Sequence, residues 1–356
     1  MLPSHRMAAV LVGLLACATA CRDAPTPTLV RVREIRRPMG TYMAITVYAP
    51  DEAAGTRALA AAFARVEQVE AAISTWRRTS DASRLNREAG GQPVPIAPEL
   101  AALLKRAAAV SAETDGAFDV TIGALVRLCR RTWRRRRVPT PEELSEAMAR
   151  VGHRHVELSP DGKQARLAKA GMRLDFGAIG KGYIVDQAVG SLRRSGIQIA
   201  LVDAGGDIYA MGAPPERAGW TIGVRDPDRP TEMQILKHRL LVRDCAVATS
   251  GDYEQFVVID GHRYSHIVDP RTGQPVEHMS SVTVVAPDAT TADAYATACS
   301  VLGPQAAVAF AEERKGVEAL VLHRRDGDAL ARARSSGFDR FVLTEPAATG
   351  SDRDKP

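Results

Sequence analysis

Between two helical stretches at residues 180–195 and 289–302, the sequence holds seven strand-like segments and no helical one. They fall at 198–203, 208–211, 220–225, 239–248, 255–259, 263–268 and 281–286. Each is apolar or alternating over a strand's length and bounded by turn-forming residues. Strands in a run, with helices grouped before and after them, indicate an α+β fold and argue against a βαβ relay. The expected architecture is therefore largely antiparallel sheets with flanking helices, in two interleaved lobes.

The first half supplies the other elements. Residues 29–35 and 42–48 read as strands, and Leu59, Phe63, Val66 and Val69 give residues 51–72 one apolar helical face. Leu100, Leu103, Leu104, Ala107 and Val110 do the same for 98–114. A short helix at 141–151 begins with Pro141, and a hairpin spans 155–167 across Ser159-Pro160-Asp161-Gly162. Residues 76–86 read as a polar connection, 304–315 as a helix, and 319–323 and 341–343 as strands.

Charge sets a second boundary. The 356 residues carry a formal net charge of +5, which invites a polyanion partner. Seven arginines lie between Arg127 and Arg137, and without them the body is slightly acidic. One local cluster is no basis for a nucleic-acid partner. It reads as a solvated face in preference to an anionic-lipid contact.

Residues 1–20 have Arg6 followed by a short apolar run, the pattern of a secretory leader and too short to span a bilayer. The run meets two cysteines, which suggests lipoprotein processing. Cys17 has the better preceding leucine; Cys21 leaves the more usual leader length and is taken as the lipidation site. A plain secretory leader is the alternative. Residues 21–28 then form a tether, 29–345 the folded unit and 346–356 a disordered tail. Cys129, Cys245 and Cys299 have neither disulfide-framework nor zinc spacing.

Three constellations carry chemistry. Asp175-Phe176-Gly177-Ala178-Ile179-Gly180-Lys181-Gly182 runs small residues and a lysine into a helix start, where phosphate is favoured. A tight junction with a surface lysine reads equally well. Asp293 and Thr297 are four apart on one helix face, and such oxygen ligands suit a hard cation. The alternative is helix capping by Thr290 or Thr291, with Asp293 in the first turn. His266 precedes the turn Asp269-Pro270-Arg271-Thr272-Gly273, and a histidine there suits general-base work or a structural role. Asp203-Ala204-Gly205-Gly206-Asp207 reads as a turn needing positive φ, and residues 116–121 as a loop between helix and strand. GxGxxG, the P-loop, HExxH and CxxC are all absent.

Together these segments resemble the ApbE family of FAD:protein FMN transferases. The likeness includes Met39-Gly40-Thr41, Ser74-Thr75-Trp76, Gly116–Thr121, Leu174–Asp186, Val202–Asp207, Ser250-Gly251-Asp252-Tyr253, His266–Gly273 and Ala292–Ala298. It implies an ApbE-like fold and a periplasmic, membrane-tethered enzyme. The enzyme would use FAD and Mg²⁺ to attach FMN to a threonine of an acceptor protein, with release of AMP. FAD contacts fall on Met39, Trp76, Ala117, Phe118, Asp119, Asp175, Lys181 and Ile267. Magnesium falls on the Ala178 carbonyl, Asp293 and Thr297, and His266 matches the base for the acceptor threonine, with Lys181 assisting at the pyrophosphate. The reacting hydroxyl then belongs to the partner, which agrees with the lack of a nucleophile constellation. Two departures stand out. Ala296 sits where relatives sometimes carry a second aspartate, and the arginine cluster sits where they carry a short aromatic turn. An FAD pyrophosphatase and a non-catalytic flavin-binding lipoprotein are the alternatives.

Overall fold

The computed structural model describes residues 28–343, except 230, 231, 233–235, 253, 254, 278 and 325–328. The leader, both candidate lipidation cysteines, Tyr253 and the tail at 346–356 lie outside the described residues.

Along the chain come β1 (Val30–Arg36), β2 (Met43–Ala49), α1 (Glu52–Ile73), α2 (Asp81–Arg87), β3 (Val94–Pro95), α3 (Pro98–Glu113), α4 (Gly123–Arg134) and α5 (Pro141–Met148). Then follow β4 (Val156–Leu158), β5 (Gln164–Leu167), α6 (Gly180–Arg194), β6 (Ile199–Ala204), β7 (Asp207–Met211), β8 (Trp220–Arg225), β9 (Leu236–Val242) and β10 (Cys245–Gly251). The last are β11 (Phe256–Ile259), β12 (His262–Ser265), β13 (Met279–Ala286), α7 (Ala289–Leu302), α8 (Pro304–Glu312), β14 (Glu318–Arg324) and β15 (Leu330–Arg334).

Eight strands form one sheet in the order β1-β2-β6-β7-β10-β13-β14-β15, and every neighbouring pair is antiparallel. The α+β expectation holds. Both faces of the middle of this sheet are covered, which is why β13 is buried at every position. Val282 and Val284 face the helical core with α1, α6 and α7. Val285 faces the opposite side, where Leu240, Val242 and Phe338 close a second core under the β8–β9 hairpin. Helix α1 delivers its predicted stripe: Leu59, Phe63, Val66 and Val69 are all buried. Each such side chain contributes roughly 1.5–3 kcal/mol of burial. Asp51 caps α1 by accepting the Ala54 N–H at 2.7 Å.

A smaller lobe is inserted between α3 and α6. Leu125, Leu128 and Cys129 of α4 pack with Ala147 of α5 and with Val268. Thr140 and Glu143 form a reciprocal capping box that starts α5. The sheet β3-β5-β4 packs instead on the main helical core through Ala165 and Leu167.

Several local expectations change. Residues 76–86 are not all connection, because α2 starts at Ser80, whose hydroxyl accepts the Ser83 N–H at 3.0 Å. The loop at 116–121 leads into helix α4, not a strand. The single strand expected at 239–248 is two strands, turned at Asp244 with φ of 53°. Residues 341–343 form no strand; a 3₁₀ turn at Phe338–Phe341 precedes one bridge from Val342 to Leu240. Cys129, Cys245 and Cys299 are free thiols.

Candidate functional site

The densest polar cluster lies where the starts of α6 and α7 meet β7. Gly182 makes this meeting possible. A Cβ there would collide with the Ala289 carbonyl and come within 2.9 Å of the Asp293 Cβ. Without it, the Gly182 N–H donates to Asp293 Oδ2 at 2.9 Å. Asp186, one turn on, accepts the N–H groups of Ala289 and Thr290, each at 2.8 Å, and so fastens α7 to α6.

Beside Asp293 stands Asp207, the first residue of β7. Gly205 and Gly206 both take positive φ, as expected, and turn β6 into β7 so tightly that Asp207 enters the core. Its Oδ2 lies 2.8 Å from the Lys181 ammonium. Burial and then the Asp207 carboxylate push the Asp293 carboxyl well above the ordinary range, against the pull of Lys181 and the Gly182 N–H. Two buried carboxylates share one ammonium here. Thr297 Oγ1, one turn along α7, lies 3.2 Å from Ser250 Oγ on β10. Ala178 is half-buried in the turn leading into α6.

Among the described residues, no group of three or more His, Cys, Asp or Glu side chains has metal-site geometry. The Asp207–Asp293 pair nevertheless fits a divalent cation. A bound cation would let both carboxylates ionise beside the one lysine, and a carboxylate, a hydroxyl and backbone oxygens suit Mg²⁺. Ala296 is fully buried and offers no oxygen from its side chain. Asp207 supplies from the sheet the second carboxylate that α7 lacks.

His266 follows β12 and is half-buried. Its Nδ1 lies 2.8 Å from the Gln255 carbonyl. A carbonyl only accepts, so Nδ1 carries the proton and Nε2 keeps a lone pair. Burial lowers the imidazole's pKa; the Gln255 bond opposes this, while the Arg130 and Lys181 charges add to the lowering. The lowered pKa favours the neutral imidazole.

The remaining expected contacts form the walls. The loop of Ala117, Phe118 and Asp119 is buried and tied to the Asp175 segment by the Asp175 N–H, which donates to Val120 O at 2.8 Å. Asp119 is turned inward, accepting Thr121 N, Thr121 Oγ1 and His153 N. Its carboxylate holds the loop together. Ile267 is buried, with its N–H donating to Ser265 Oγ. Met39 takes a left-handed φ of 51°, and its N–H donates to Glu70 Oε1 at 2.9 Å. Its side chain lies against Gly180 at the α6 start. Trp76 is 75% exposed and separates two clefts, one shared with Met39 and one with Asp175.

A protein-family model described as the ApbE family matches residues 39–321. The chain belongs to the ApbE family. It is 38% identical over 352 residues to the FAD:protein FMN transferase of Treponema pallidum, covering 94% of this chain and 96% of that protein. It is 28% identical to the FAD:protein FMN transferase of Escherichia coli K12, covering 94% and 97%. The fold matches the apo flavinyl transferase ApbE of Pseudomonas stutzeri with a TM-score of 0.77 at 30% identity, covering 89% and 98%. It matches the ApbE protein of Thermotoga maritima with a TM-score of 0.78 at 31% identity, covering 88% and 100%.

Two features of the site escape a sequence reading. Asp207 hides in a glycine turn, and its one signal is a carboxylate at the inward position of a buried strand. The arginine cluster is exposed, as a solvated face should be. Yet Arg127, Arg130 and Arg134 line the cleft that holds Trp76 and Asp175.

Proposed function

We propose that this ApbE-family chain transfers FMN from FAD to a threonine hydroxyl of an acceptor protein and releases AMP, with Mg²⁺ required. The observation that carries the reading is the pairing of Lys181 and the buried Asp207–Asp293 carboxylates with a neutral His266 whose Nε2 is the proton-accepting nitrogen. Phosphoryl transfer needs positioning and charge neutralisation more than a covalent intermediate.

The acceptor Oγ forms a bond to the phosphorus that carries the riboflavin side. The bridging P–O bond breaks, and the leaving oxygen departs on AMP. His266 Nε2 takes the hydroxyl proton, and the Gln255 carbonyl holds the ring in the required tautomer. Lys181, held by Asp207, places its ammonium at the α6 N-terminus, where the pyrophosphate would lie. Asp293, Thr297 and the Ala178 carbonyl would hold Mg²⁺, with Asp207 beside them. That ion would neutralise pyrophosphate charge when bound. Trp76 offers an open aromatic face for a flavin or adenine ring. Met39, Ala117, Phe118, Asp175 and Ile267 shape the surrounding walls.

We further propose that the chain works on the periplasmic side of a bacterial membrane, anchored by a lipid on Cys21. The short apolar leader and its terminal cysteines support that placement.

The test combines the full-length chain, FAD, Mg²⁺ and a threonine-bearing acceptor protein encoded beside it. A gain of one FMN phosphoester on the acceptor, lost when its threonine becomes valine, supports transfer. AMP release without an acceptor gain points to a pyrophosphatase, and neither product points to a flavin-binding protein.

A further inference from the structure

The helix α4 carries Arg127, Arg130 and Arg134 at positions i, i+3 and i+7, so they share one face. Together with Arg173 they line a cleft of about 640 Å³ that contains a single carboxylate, Asp175. Their neighbours Arg131 and Arg137 pair with Glu143. Among the described residues, none of the four cleft arginines has an ion-pair partner. Burial and then the charge of Arg127 lower the Arg173 pKa, against the opposing pull of Asp175.

The cleft is held against the proposed reaction site. Trp133 of α4 contacts Tyr264 with ring centroids 6.5 Å apart, and Tyr264 is two residues before His266. Val268, two residues after His266, packs on Leu125, Leu128 and Cys129 of the same helix. Arg130 lies 5.2 Å from the centre of the Trp76 ring. Val257, on the strand that pairs with Tyr264, forms part of the cleft wall. A chain lying in this cleft would run along the elements that flank His266.

In the transferase reading the FAD pyrophosphate lies at Lys181 and the start of α6, and Trp76 and Asp175, which border this same cleft, meet a flavin or adenine ring, so no FAD charge is assigned to the α4 arginines. The surplus positive charge on α4 is therefore available to a different polyanion. Guanidinium groups favour planar carboxylates, which they bind in bidentate pairs. We propose that this arginine-lined cleft docks an acidic segment of the acceptor protein, next to the threonine presented to His266. The proposal rests on the transferase reading above and adds the chemistry of its protein substrate.

Two fluorescein-labelled peptides test it by anisotropy with the full-length chain: a threonine flanked by glutamates, and the same peptide with glutamines. The expected result is about ten-fold tighter binding of the glutamate peptide, weakening with salt. The Arg127→Gln/Arg134→Gln variant should lose that preference, and Arg127→Lys/Arg134→Lys should keep most of it. FAD affinity and acceptor-free AMP release should be equal in all three proteins. Equal binding of both peptides by the wild type, or a preference that survives in the glutamine variant, overturns the proposal. So does a fall in FAD affinity in the glutamine variant, which would assign the cleft to FAD. Arginine-dependent binding to phosphatidylglycerol vesicles without a glutamate preference overturns it in favour of a membrane contact. Peptide binding is scored without turnover, so a wild type that makes neither flavinylated acceptor nor AMP sinks the transferase reading separately.

Discussion

Asp207 on β7 and Asp293 on α7 are two buried carboxylates that interact with each other and with the single ammonium group of Lys181. Neither can be fully ionised beside the other without added positive charge. In the proposed reading a cation sits at this pair, and Asp207 joins the ligand set that the sequence suggests. Replacing Asp207 with Asn should raise the Mg²⁺ concentration needed for half-maximal AMP release by about 10–100-fold. Titrating Mg²⁺ against AMP release checks this, and an unchanged midpoint would remove Asp207 from the site.

His266→Ala should keep FAD affinity and reduce FMN transfer by about 10²–10⁴-fold. Fluorescence titration of FAD and acceptor mass spectrometry separate the two effects.

The pH profile follows from the same histidine. Burial is the largest cause that lowers its pKa, and the active form is neutral. The base is lost only as pH falls through that lowered value. Transfer at saturating FAD should stay level from neutral pH down through the ordinary imidazole range and decline below it. A decline centred above that range would assign the titration to another group.

Gly182→Ala tests the meeting of α6 and α7. The added methyl meets the Ala289 carbonyl and the Asp293 Cβ. Overpacking of this kind costs about 1–3 kcal/mol. A lower melting temperature and lost Mg²⁺-dependent turnover are expected together. Asp186→Ala should cost a similar ~1–3 kcal/mol by leaving the Ala289 and Thr290 N–H groups without their acceptor. Calorimetry of both variants checks this.

Where local signals are strong, the sequence predicts the structure closely. Helix α1 has an apolar stripe and an Asp51 cap, and α6 and α7 begin at the expected glycine and alanine. Lys181 and His266 are legible because each sits at an element boundary, and Asp293 and Thr297 because their spacing of four puts them on one face of α7. Helices α2 and α4 are not: polar residues dominate α2, and the arginines interrupt the apolar pattern of α4. Helix α4 is fixed by a few inward residues packed on Val268, which lies far along the chain. The turn at Asp244 uses a left-handed non-glycine residue, which leaves no glycine to mark it. Asp207 is a partner across elements, and only the sheet brings it to Lys181 and Asp293. The loop hydrogen bonds that Asp119 accepts from Thr121 and His153 are not legible either, because His153 lies 34 residues away in the chain.

The most direct test of FMN transfer is the ratio of AMP released to flavinylated acceptor formed, measured together in one reaction with FAD and Mg²⁺. Transfer through Lys181, His266 and the Asp207–Asp293 pair predicts equal amounts of both, and loss of both with His266→Ala. AMP in large excess over modified acceptor would contradict it and make water the true acceptor.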